Sequence, residues 1–77
     1  MSGYGFDGVA DAPLAEIIDE ASASVTYICE AKAGTSSAAP NWRCRKIETI
    51  GGVTRTTWVD GGQFSQIADD RASLTYT

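Results

Sequence analysis

The chain has 77 residues, six Lys and Arg against ten Asp and Glu, and no His. A chain of this length holds one domain, buries about 60–65% of the surface its unfolded form exposes, and keeps a small net stability. The acidic balance argues against nucleic acid as a partner. The lack of His removes Ser-His-Asp and Cys-His catalysis and the commonest metal ligand.

The charges are segregated along the chain. Asp7, Asp11, Glu16, Asp19, Glu20 and Glu30 fall in the first thirty residues without a basic residue, whereas Lys32, Arg43, Arg45, Lys46 and Arg55 share residues 32–55 with one acid, Glu48. Two segments of opposite sign can meet within a subunit or between neighbours, or simply form solvated faces.

Residues 1–12 mix Gly, Ala and Asp with Tyr4 and Phe6 and read as an extended arm. Tyr4, Phe6 and Val9 are its candidate anchors on a neighbouring chain, because burying an aromatic must offset the ordering cost of the glycines. Residues 13–21 read as a short helix: Asp11 suits an N-cap, Pro13 a first turn, and Leu14, Ile17 and Ile18 form one stripe. A strand through Glu16–Asp19 is the alternative.

From Ser24 the texture becomes that of a β protein. Val25, Thr26, Tyr27 and Ile28 favour a strand, and Ala33–Asn41 is a loop of small and polar residues closed by Pro40. A long strand over Trp42–Ile50 turns at Gly51-Gly52, a dipeptide suited to a two-residue hairpin, into a strand over Val53–Val59. That turn sets a register of Ile50 with Val53, Glu48 with Arg55, Lys46 with Thr57 and Cys44 with Val59. On the other face it opposes Thr49 to Thr54, Ile47 to Thr56 and Arg45 to Trp58. Trp42 and Trp58 then lie on opposite faces, and one face needs a cover from the N-terminal segment or another protein. Both indoles are candidate assembly contacts. Asp60-Gly61-Gly62 breaks the strand, Phe64–Ala68 reads as one helical turn, and Ser73–Tyr76 as a last short edge strand.

No phosphate-binding or dinucleotide-binding glycine pattern occurs. Asp60, Asp69 and Asp70 lack calcium-loop spacing. No cofactor, metal or small-molecule substrate is expected, and the chain reads as a non-enzyme. Cys29 and Cys44 become neighbours if strands 24–32 and 42–50 pair. They are a candidate thiol pair, as a disulfide, as two buried thiols or as exposed thiols. Met1–Gly8 lacks the basic start and apolar stretch of an export signal, and no apolar run has membrane-spanning length. The expectation is synthesis in the cytoplasm, with no membrane partner.

Residues 24–77 resemble small virion-associated structural proteins of tailed bacteriophages. The resemblance is carried by Tyr27-Ile28, Ala33-Gly34-Thr35, Trp42-Arg43-Cys44-Arg45-Lys46-Ile47, Thr57-Trp58-Val59-Asp60-Gly61, Phe64, Ile67 and Asp70–Tyr76. The pattern is a spaced consensus of strand residues rather than a catalytic motif. Cys29 and Cys44 both depart from it, at positions where Gly and an aliphatic residue are usual, which suggests that they touch. The resemblance implies a virion component made in a host cell, docked on capsid, neck or tail, with other virion proteins and copies of itself as partners. A receptor- or glycan-binding module at the tail and a phage-encoded inhibitor of a host protein are the rivals. The expected architecture is mainly β: a small antiparallel sheet, or a sandwich- or barrel-like module, over residues 24–77, with an arm and one short helix over residues 1–23.

Overall fold

The computed structural model describes residues 13–77. The arm, with Tyr4, Phe6, Val9 and the Asp11 cap, lies outside the described residues. The protein is mainly β. Strands β1 (Leu14–Ser22), β2 (Val25–Lys32), β3 (Arg43–Ile50) and β4 (Val53–Trp58) form one open sheet in the order β1-β2-β3-β4, each antiparallel to the next.

The β3–β4 hairpin has the register that its turn dictates, from Ile50 opposite Val53 to Arg45 opposite Trp58. Gly51 and Gly52 take φ of 57° and 81°, the left-handed region that a two-residue turn of this hand demands and that glycine adopts at little cost. Thr49 and Thr54 share a hydroxyl hydrogen bond of 2.8 Å across the hairpin.

The helix expected over residues 13–21 is instead β1. Its exposure alternates residue by residue, with Ala15, Ile17 and Asp19 turned inward and Leu14, Glu16, Ile18 and Glu20 outward. Leu14, Ile17 and Ile18 fit a helical stripe as well as a strand. Pairing with β2, which satisfies the inward backbone groups of Ala15, Ile17 and Asp19, decides between them. The division at residue 23 is corrected with it: it falls in the turn between β1 and β2, two strands of one sheet.

After β4 the chain leaves the sheet. The helical turn expected over Phe64–Ala68 is displaced to a 3-10 turn at Ala68–Ser73, preceded by a shorter one at Asp60–Gly62. Between them, Gln66 and Trp42 exchange backbone hydrogen bonds of 2.9 and 2.8 Å. Ser73–Tyr76 is not a strand. This segment crosses one face of the sheet as a strap: Arg71 Nε donates to Asp19 Oδ2 on β1 at 3.0 Å, Tyr76 packs on Tyr27 of β2 with ring centroids 5.6 Å apart, and Thr77 N–H donates to Trp58 O on β4 at 2.9 Å. Beneath it lies the core of Cys29, Ala31, Trp42, Cys44, Val59 and Ala68, with Ala15, Ile17, Leu74 and Tyr76 packed around it.

Candidate functional site

Alternation along the strands assigns side chains to two faces. Cys44 points into the covered face, so Arg43 and Arg45 point to the other, and Trp58, opposite Arg45, joins them. On that open face Ile18, Ile28, Arg45 and Trp58 stand in one cross-strand row, one from each strand. Arg43 lies beside it. Its guanidinium sits 5.7 Å from the Trp58 ring centre and 4.8 Å from that of Phe64, while its Nε donates to Glu30 Oε1 at 2.8 Å. Arg45 stacks on Trp58 at 5.4 Å. Cations over aromatic faces contribute about 0.5–1 kcal/mol at exposed sites and more when desolvated.

Two features of this face bear on what it could bind. Apolar groups stay in contact with solvent there, with Ile18 56%, Leu14 49% and Phe64 48% exposed. The Arg45 Nε is buried and has no hydrogen-bond partner among the described residues. A covered donor without an acceptor costs about 1–3 kcal/mol, and an acceptor arriving from outside would recover it.

Trp42 and Trp58 do lie on opposite faces. Trp42 is only 2% exposed, and its Nε1 donates to Ser36 O at 2.8 Å. Its place as a candidate assembly contact is therefore corrected: its indole is taken up by the intramolecular core, because the strap and the Gln66 bridge close over it. Trp58 is half-buried and stays on the open face. Neither Arg43 nor Phe64 is among the assembly contacts expected from the sequence. For Arg43 a signal existed: it is two residues from Arg45 on the same strand, hence on the same face as Trp58. For Phe64, which follows the sheet in an irregular segment, no periodicity could supply one.

Cys29 and Cys44 are directly opposed, free and fully buried. Thr49 N–H donates to Ser24 O, and Val59 N–H to Cys44 O. In antiparallel pairing those bonds make Ser24 and Thr49 a hydrogen-bonded pair. Cys29 and Cys44, five residues further along each strand, are then a non-hydrogen-bonded pair, the type in which facing side chains come closest. Burial pushes the Cys29 thiol up to about 12 from an ordinary 9.0, with its hydrogen bond to Cys44 adding to the rise; burial raises Cys44 too. Both stay protonated at neutral pH and behave as small apolar groups rather than nucleophiles. Tyr76, whose hydroxyl donates to Arg71 O at 2.7 Å, is also raised by burial.

Among the described residues no cluster of three or more His, Cys, Asp or Glu could hold a metal ion, and no helix is long and apolar enough to cross a membrane. No family model matches the chain, no curated protein matches it, and no solved structure matches it.

Proposed function

We propose that the chain is a non-enzymatic docking module, a structural component of a phage virion that seats its open sheet face on a larger virion protein of capsid, neck or tail. One observation carries the docking reading: the chain covers one face of its sheet with its own C-terminal strap, while Trp58, Arg43, Arg45 and Phe64 stand on the other with a buried Arg45 donor unmatched among the described residues. Aromatic and Arg side chains together are the usual makings of an interface anchor. The orphaned donor favours a partner that brings a carboxylate or carbonyl oxygen. The phage setting rests on the resemblance of residues 24–77.

A second reading, a receptor- or glycan-binding module at the tail, draws on the same aromatics: Phe64 is 48% exposed with a guanidinium over its ring. Purified particles separate the two. A mass-spectrometric inventory should find the chain in many fixed copies if it is structural, and in a few at the tail tip if it binds a receptor. Trp58→Glu should fold and be lost from particles. Normal incorporation of a folded Trp58→Glu protein, or absence of the wild type from particles, would overturn the proposal.

A further inference from the structure

Among the described residues the sheet is open, so β1 and β4 are both edges. The hydrogen-bond parity established above extends across it. Even-numbered residues of β2 bond to β3, so its odd-numbered residues bond to β1, and Ala15, Ile17 and Asp19 spend their backbone groups inward. Glu16 and Ile18 therefore aim theirs outward, up to the register shift between Asp19 and Ser22. On β4 the same parity turns Thr54, Thr56 and Trp58 outward. The Trp58 carbonyl is taken by Thr77, which leaves the amides and carbonyls of Thr54 and Thr56 free among the described residues.

The two edges are complementary. β1 carries Glu16, Asp19 and Glu20 and no base; β4 carries Arg55 and no acid. Arg55 is exposed and enters no ion pair among the described residues. A β1 edge meeting another β1 sets acid against acid, which is how natural sheets discourage unwanted pairing. The strand count adds a geometric condition. In an antiparallel meander of four strands, β4 of one copy and β1 of a neighbour placed by translation run in opposite directions and keep the same faces together.

We propose that copies of this chain add to one another head to tail, β4 of one pairing antiparallel with β1 of the next. The register that opposes Arg55 to Asp19 of the next copy also opposes Thr56 to Ile18, and both of these last residues have outward backbone groups. Asp19 gives Oδ2 to Arg71 within its own chain, which leaves Oδ1 for the incoming guanidinium. Such a contact is heterologous and builds rings or filaments rather than closed two-fold dimers. It concerns the sheet edges and stands independently of the docking reading of the open face.

Two edge substitutions test it on the full chain. Thr56→Pro deletes an outward N–H on β4, and Ile18→Pro deletes one on β1; proline is tolerated at an edge where no ladder bond is lost. Sedimentation velocity over about a hundredfold concentration range should show wild-type oligomers that grow with concentration and weaken with salt. Each variant should melt cooperatively and remain monomeric. Their equimolar mixture should form one-to-one dimers and nothing larger, because each supplies the edge the other lacks. Arg55→Glu should weaken wild-type assembly about tenfold or more, by setting like charges together. A wild type monomeric throughout, a dimer lost in Thr56→Pro but kept in Ile18→Pro or the reverse, or folded variants whose mixture stays monomeric would each overturn the proposal.

Discussion

The two faces of this sheet are built from the same four strands and differ in what lies over them. One lies under the strap from Ala68 to Thr77, which closes over a cluster of two cysteines, Ala31, Val59 and Trp42. The other keeps isoleucines, two arginines and Trp58 at the surface. Among the described residues only the segment after β4 remains to lie over a face, and it lies over one. The tryptophans show the consequence. They are equal in size and lie near the same end of the hairpin, yet one is buried in the core and the other is half-exposed among the described residues.

Substituting the two indoles tests this contrast most severely. Trp42→Ala should cost about 3–5 kcal/mol in chemical denaturation, the range for deleting a large buried aromatic, and leave a marginal protein largely unfolded. Trp58→Ala should cost about 1–2 kcal/mol, because its ring is half in water already. Equal losses would mean that the open face is as much core as the closed one.

The thiol pair sharpens the comparison next. Cys29→Ser should destabilise by about 1–3 kcal/mol under reducing conditions, through a hydroxyl buried among apolar groups. The same burial predicts a pH dependence. Folding raises the Cys29 value above that of the unfolded chain, so its contribution is fully present below pH 9.0 and is lost as the pH climbs toward about 12. Cys44 and Tyr76, shifted in the same direction, act likewise. A melting temperature that is level through neutral pH and falls across that alkaline window is expected. In Cys29→Ser the fall should be shallower.

Tyr76→Phe should remove about 0.5–1.5 kcal/mol by deleting the bond to Arg71 O while leaving the ring on Tyr27. A larger loss would show that the strap is held mainly by this one hydroxyl. Phe64→Ala, on the open side, should stay within about 1 kcal/mol of wild type in stability, with its effect appearing in partner binding.

What the sequence disclosed follows the range over which each element is determined. The β3–β4 hairpin was legible because Gly51-Gly52 and a period of two set it locally, and with it the Arg45–Trp58 contact and the opposition of the tryptophan faces. The neighbourhood of Cys29 and Cys44 followed from one further pairing. β1 was not legible: Leu14, Ile17 and Ile18 satisfy both periods, and its inward face carries Ala15 and Asp19 rather than an apolar run. Ser73–Tyr76 reads as an edge strand, but these residues run across the strands rather than beside them, and nothing local distinguishes the two. Trp42 reads as a contact for the same reason, since the segments that bury it, the Gln66 bridge and the strap, follow no local pattern.

The strap also has a consequence for the order in which the molecule assembles. The link between Arg71 and Asp19 joins positions 52 residues apart, whereas the β3–β4 hairpin closes through two glycines. Closing a long loop costs more entropy than closing a short one, and emerging chains order from the N-terminal end. The sheet should therefore form first as a bare ribbon, wet on both sides, with its final residues closing the core last. Until then both thiols face solvent at ordinary acidity, and any oxidation or alkylation belongs to that interval. Pulse labelling of cysteines during refolding should find them reactive after the hairpin signal has developed and protected only when the C-terminal segment docks.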